Sequence, residues 1–172
     1  ITYEVAERLM RERNYFGTML VETGQADAMI TGYSHAYPKA IRPVLEIIKK
    51  EEGVRRIAAA SIMFSKQGPI FLSDATININ PTAEELANIA LLTAKAVKSF
   101  GLEPSVAMLS YSNFGSAVSE SSLKVREAVS YLHKNHPDLV VDGEIQADFA
   151  LNPDKIAKNY PFSKLNNGKG AN

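Results

Sequence analysis

Residues 104–116 of this chain read PSVAMLSYSNFGS, and residues 137–148, beyond a helical stretch, read PDLVVDGEIQAD. An apolar run at 106–109 passes directly into a loop of hydroxyl, amide and glycine residues at 110–116. A helix opens near Ser121, and a second apolar run at 139–141 ends in Asp142-Gly143-Glu144. Two strands joined by a helical crossover lie parallel as neighbours. The carboxyl ends of such neighbours form a crevice. A polar strand-end loop beside a helix amino terminus presents backbone N–H groups to an anion.

The rest of the chain follows the same alternation. Val5, Leu9, Phe16 and Leu20 recur at roughly helical spacing and Gly24 is a stop, so one helix is expected over 2–21. The apolar run 26–30 reads as a strand. Pro38 opens a helix in which Ile41, Val44, Leu45 and Ile48 line one face. Residues 56–64 and 70–72 read as strands about the turn Lys66-Gln67-Gly68-Pro69. After the polar run DATININP, Thr82 and Glu85 form a capping box. The helix they start carries Leu86, Ile89, Ala90, Thr93, Val97 and Phe100 on one face and ends at Gly101. His136-Pro137 closes the helix that opens near Ser121, and Pro153 opens a short helix to 158. Strands alternating with long helices point to an α/β sandwich with a largely parallel sheet, into which the Lys66 turn inserts one antiparallel pair.

Composition removes several classes of function. Nineteen basic and nineteen acidic residues cancel, so no field favours nucleic acid or an anionic membrane. An apolar fraction of 45% supports a real core and excludes disorder. The absence of cysteine excludes disulfides and thiolate metal sites and favours a cytoplasmic setting. No apolar run approaches the ~18 residues of a membrane span. The charged start ITYEVAERLMRERN is no secretory signal. The last residues, NNGKGAN, read as a loop leading to a further strand, so the chain is read as a cut piece of a domain.

The candidate site residues each carry two readings. The loop containing Ser110, Ser112, Asn113, Gly115 and Ser116 is either an anion cradle or turn chemistry. Arg42, one turn inside the Pro38 helix, is either a phosphate clamp or a surface arginine paired with an acid. His35 is the only histidine in a loop suited to face a crevice, whereas His133 and His136 lie at a helix end and read as structural. Glu144 and Asp148, four apart, are placed to share a helical face, but two carboxylates alone do not make a metal site. Capping and turn formation account for Asn78 and Asn80.

Read together, ADAMITG, IRPVLEII, SDATININPTAEELANIA, FGLEPSVAMLSYSNFGS, KVREAV and PDLVVDGEIQADFALNP occur in an order that resembles the phosphate acetyl/butyryl transferase family, over nearly the whole chain. Four details look most like the phosphotransacetylase-like carboxyl-terminal domain of NADP-dependent malic enzymes: MRERNYFGTMLV, SNFGS, DGEIQAD and YPFSKL. Stand-alone phosphotransacetylases more often carry a threonine, a lysine and an extra glycine in the strand-end loop and a proline after the DG. This chain has Asn113-Phe114 and Glu144 instead.

The resemblance implies a three-layer α/β/α fold with a largely parallel sheet, isocitrate/isopropylmalate dehydrogenase-like, in which about 1–50 is part of the first subdomain plus a connecting helix and about 51–172 the second subdomain, with a carboxyl-terminal segment of the family domain missing. It implies an acyl-CoA or phosphate cleft that includes Arg42, Ser110, Ser112, Asn113, Gly115 and Ser116. The serine, arginine and aspartate that assist the family's reaction lie in that missing segment, so no catalytic residue, and no metal ligand, is assigned here. The function implied is an acetyl-CoA-sensing and oligomerising domain of a malic enzyme that oxidatively decarboxylates malate to pyruvate. NADP and a divalent metal would then belong to other domains, and the piece alone would be inactive. A phosphate acetyltransferase is the first alternative and a purely structural dimerisation module the second. A homodimer or higher homo-oligomer is expected, with acetyl-CoA or a related acyl-CoA as partner, and neither nucleic acid nor membrane.

Overall fold

The computed structural model describes every residue of the chain except Ser34, His35, Glu51, Gly53, Arg55 and Ala75, so the reading of His35 lies outside the described residues. The chain divides into two units, Ile1–Val54 and Arg55–Asn172.

The first unit holds helices α1 (Tyr3–Met10), α2 (Arg13–Glu22) and α3 (Tyr37–Ile47). The single helix expected over 2–21 is two. Thr2 caps α1, and the chain turns at Arg11 and Glu12 before α2 begins. Residues 11–14 are Arg-Glu-Arg-Asn, so no apolar side chain ties that turn of helix to a core. α2 packs on α3, and the Tyr15 hydroxyl donates to Glu46 across them at 2.5 Å. The strand expected at 26–30 does not form, and Ile30 is exposed. A short strand needs a ladder partner, and no strand is present among the described residues of this unit.

In the second unit, β1 (Ala60–Ser65) and β2 (Gly68–Ser73) form the expected hairpin, with Ala60 opposite Ser73 and Ser65 opposite Gly68. Gly68, at φ +127°, provides the left-handed step out of the turn. β1 starts four residues later than the sequence suggests because β2 offers no partner beyond Ser73. Helix α4 (Ala83–Ser99) follows its capping box: Thr82 Oγ1 accepts the Glu85 N–H and Glu85 Oε2 accepts the Thr82 N–H. Strand β3 (Ser105–Leu109) comes next, then α5 (Glu120–Asn135), whose cap is Ser119. Strand β4 (Val140–Ile145) and the short helices α6 (Ala147–Ala150) and α7 (Pro153–Asn159) complete the order.

β3 and β4 are parallel, as the crossover requires. Side chains alternate across them. Met108 and Val141 join Ala87 and Ala90 of α4 and Val125, Ala128 and Leu132 of α5 in one cluster. Ala107, Val140 and Ile145 join Ala150, Ile156 and Leu165 in another. Helices therefore cover both faces of an α/β unit. The largely parallel sheet of the sequence reading is, among the described residues, two separate two-stranded sheets, one antiparallel and one parallel. His133 sets its ring nitrogen 2.7 Å from the Val141 carbonyl oxygen, a tie from α5 to β4. No helix among the described residues is long and apolar enough to cross a membrane.

β4 runs through Asp142-Gly143-Glu144, which the sequence reading placed at the strand's end. Asp142 is buried, and its Oδ2 accepts the Ser163 hydroxyl (2.9 Å) and the Lys164 N–H (2.8 Å), which seats Leu165 in the second cluster. Gly143, at φ +145°, lies against β3 so closely that a Cβ would run into the Met108 carbonyl oxygen. Gly143→Ala is therefore expected to cost about 2–4 kcal/mol through steric strain in the ladder. Urea unfolding at neutral pH checks this; a loss under about 0.5 kcal/mol, the range of an ordinary surface change, would contradict it.

Candidate functional site

The ladder between β3 and β4 slips by one residue: Met108 faces Gly143, but Leu109 faces Ile145. Glu144 is the extra residue of this bulge, and bulges re-aim side chains. Its carboxylate is fully buried, on the side of α5. Oε2 accepts Arg126 Nε at 2.8 Å. Oε1 accepts the Ser112 hydroxyl at 2.9 Å and the Gly115 N–H at 2.7 Å. The backbone carbonyl of Glu144 accepts the Phe114 N–H at 2.8 Å. The loop after β3 is thus wrapped around one residue at the end of β4.

Further bonds complete the wrap. Ser112 Oγ also accepts the Ala117 N–H, Asn113 Oδ1 accepts the Gln146 N–H at 2.7 Å, and Gln146 Nε2 donates to the Tyr111 carbonyl at 2.6 Å. Ser116 Oγ accepts the Asn113 N–H, and Ser110 Oγ accepts the Ser112 N–H. Phe114 sits at φ +44°, unusual for a non-glycine residue, and is held there by that backbone bond and by ring contacts to Tyr160 and Phe162. Burial pushes the Glu144 carboxyl up, but hydrogen bonds from Arg126, Gly115 and Ser112 outweigh it and hold the group below its ordinary range.

The loop after β2 opens at the same end. The Asp74 carboxylate accepts the N–H groups of Thr76, Ile77 and Asn78 as well as the Asn78 side-chain amide. Burial raises the Asp74 carboxyl, and these bonds bring it below its ordinary range. Asn80 Oδ1 accepts Lys124 Nζ from the second turn of α5 at 2.7 Å. Both strand-end loops therefore meet the start of one helix.

Five of the six candidate ligand residues, Ser110, Ser112, Asn113, Gly115 and Ser116, lie together in this wrap. Ser112 and Asn113 are buried with their side chains turned inward, while Gly115 and Ser116 are exposed and Ser110 is half-buried. Arg42 belongs to the first unit. It is exposed, and its Nε donates to Glu46 one turn on at 2.6 Å, the same carboxylate that Tyr15 reaches. That pairing and the Tyr15 hydroxyl hold the Glu46 carboxyl below its ordinary range. Glu144 and Asp148 do not share a helical face, because Glu144 is in β4 and Asp148, in α6, pairs with Lys155 at 2.9 Å.

Sequence reasoning missed Arg126 and the anchoring role of Glu144. The available signal was Gly143, since a glycine inside a strand marks a bulge or a close backbone approach.

Glu144→Gln keeps the shape of the side chain and removes its charge. It is expected to cost about 1.5–3 kcal/mol near neutrality, the worth of charged hydrogen bonds with a partly exposed arginine. A carboxyl whose folded pKa is lowered contributes fully above its ordinary value, 4.5, and loses that contribution as pH falls through the lowered folded value. The stability gap between wild type and variant should therefore be constant near neutrality and close below about pH 4.5. Urea midpoints across pH measure it, and a gap that does not narrow in acid would contradict the ion pair.

The family model described as phosphate acetyl/butaryl transferase matches residues 1–172, the whole of the chain. The phosphate acetyltransferase of Bacillus subtilis is 41% identical over 164 residues, which is 95% of this chain and 51% of that protein. The NADP-dependent malic enzyme of Haemophilus influenzae is 39% identical over 166 residues, 96% of this chain and 22% of that enzyme. Among solved structures, the EutD phosphotransacetylase from Staphylococcus aureus superposes with a TM-score of 0.79 at 38% identity, covering 99% of this chain and 52% of that one. The chain thus spans about half the length of the transferases it matches. With the wrapped strand-end loop and the α/β unit that carries it, these matches establish that the chain belongs to the phosphate acetyl/butaryl transferase family.

Proposed function

We propose that this chain is part of a phosphate acyltransferase, which passes an acyl group between phosphate and the thiol of coenzyme A. The observation that carries this reading is the match to phosphate acetyltransferases at 41% identity over 51% of the relative's length, against 39% over 22% for the malic enzyme. The isocitrate/isopropylmalate dehydrogenase-like architecture belongs to the same reading, and so does a homo-oligomeric state. In the reaction the coenzyme A thiolate attacks the acyl phosphate carbonyl carbon. A carbon–sulfur bond forms, the bond to the phosphate oxygen breaks, and inorganic phosphate leaves with the electron pair.

The role of this chain's own residues in that reaction is to bind and position. The inward groups of the loop, Ser112 and Asn113, fix its shape through Glu144 and Gln146. Tyr111, Gly115 and Ser116 are exposed at its outer surface and Ser110 is half-buried beside them, the side offered in this reading to an anionic ligand. Rigid placement of such a loop counts, because a reacting group misplaced by about 1 Å can lose a hundredfold in rate.

The second reading is the acetyl-CoA-sensing domain of a malic enzyme, favoured by the 39% identity to the Haemophilus influenzae enzyme. The full-length protein that carries this chain decides between them. Given acetyl phosphate and coenzyme A it should form acetyl-CoA, and given malate and NADP it should form no NADPH. NADPH from malate, inhibited by acetyl-CoA and without acetyl transfer, would establish the regulatory reading instead.

Arg42 provides a residue-level test in the same protein. In this reading Arg42, in the first turns of α3 and within the IRP segment, bonds a phosphate or carbonyl oxygen of the ligand in place of Glu46. Loss of one charged hydrogen-bond partner costs about 1.5–3 kcal/mol, so Arg42→Ala should raise the KM for coenzyme A about ten- to hundredfold. An unchanged KM would leave Arg42 as the surface partner of Glu46.

A further inference from the structure

Arg126 holds Glu144 by one end of its guanidinium only. Nε donates to Glu144 Oε2 at 2.8 Å, while Nη2 is buried and makes no hydrogen bond. Arginine and carboxylate pair most strongly as a fork on a fork, with two parallel bonds. Here the second oxygen, Oε1, already accepts the Ser112 hydroxyl and the Gly115 N–H. The fork therefore stays open. A buried donor on a charged group without an acceptor is costly and calls for an explanation.

The loop itself has little else to give an anion. The N–H groups of residues 112–117 each already have an acceptor within the protein. The cradle of backbone donors expected from the sequence is thus closed, and the guanidinium is the strong donor left beside it. Gly115 lies against that guanidinium. A Cβ there would stand 3.3 Å from Nη2, 3.7 Å from Cζ and 3.9 Å from Nη1. The backbone of the loop covers the group at this point, yet the Arg126 side chain is 35% exposed. Since Nε is bonded and Nη2 is buried, its polar opening to solvent is on the Nη1 side, next to the exposed residues Gly115 and Ser116.

We propose that Arg126 is the phosphate-recognising side chain of this site, and that the outer edge of its guanidinium, Nη1 with Nη2, takes two oxygens of one phosphate group. Glu144 is then the positioning residue. It orients the guanidinium through Nε, so that less freedom is lost when the fork closes on a ligand. Its own charge is shared with Ser112 and Gly115, which leaves the arginine a cation toward the outside. The choice of phosphate over carboxylate rests on the acyl-transfer reading, in which both acyl phosphate and coenzyme A carry phosphate.

The test is binding, not turnover, in the full-length protein that carries this chain. Arg126→Lys keeps a cation for Glu144 but has no planar fork. Titration calorimetry with inorganic phosphate and with coenzyme A should show one or both dissociation constants raised about tenfold or more. The urea midpoint should stay within about 0.3 M of wild type. Loss with phosphate alone identifies the transferred phosphoryl group as the ligand, and loss with coenzyme A alone identifies its own phosphates. Should the lysine variant unfold, Arg126→Gln combined with Glu144→Gln removes both charges together and should show the same loss. Glu144→Gln alone keeps the arginine and should weaken binding less than either. The reverse order would show that Arg126 acts only through Glu144, and would overturn the proposal. So would unchanged constants in Arg126→Lys, or an equal loss with pantetheine, which has no phosphate. A wild type that binds neither phosphate nor coenzyme A would overturn it together with the acyl-transfer reading, whereas binding without acetyl-CoA formation counts against that reading alone.

Discussion

One buried carboxylate holds the strand ends together. Glu144 is fully buried, and its oxygens and carbonyl take up Arg126 Nε, the Ser112 hydroxyl and the N–H groups of Gly115 and Phe114. A buried charge is costly unless paired and hydrogen-bonded. Here the partners that meet this requirement are the loop itself, so the loop's shape and the charge's solvation are one arrangement. α5 contributes Arg126, β4 the carboxylate and the loop after β3 the donors, and none of the three keeps its place without the others.

The bulge makes this possible. Asp142 and Glu144 are two residues apart and would lie on one face of a regular strand. The slip at Gly143 sends them to opposite sides, Asp142 to Ser163 and Lys164, Glu144 to Arg126. Each carboxylate thereby fixes a different segment on a different face. The same geometry links the loop after β3 to the end of β4. The Phe114 N–H donates to the Glu144 carbonyl, and Asn113 Oδ1 accepts the N–H of Gln146, two residues on.

This bears on the function as well. A loop whose polar groups are mostly spent on its own support offers a ligand a fixed surface rather than a set of free side chains. The chain spans about half the length of the transferases it matches.

Local chemistry was legible in the sequence. The Thr82 capping box, the hairpin about Lys66, the crossover from β3 through α5 to β4 and the strand-end position of residues 110–116 all follow from side chains a few positions apart. Elements that need a distant partner were not legible. The run at 26–30 has strand composition but no ladder to join, and the first helix breaks where no core holds it. The loop's composition marks five of the six candidate residues as neighbours, but the inward turn of Ser112 and Asn113 was not legible, because it is set by Glu144 and by the Gln146 N–H, more than thirty positions away. By itself, then, the sequence determined the capped helices, the hairpin turn and the strands on either side of α5, since propensity and capping act over one or two turns. Only the tertiary structure decided the register of β3 on β4 and which face each carboxylate serves, because a one-residue slip in a strand is set by the packing of both of its faces.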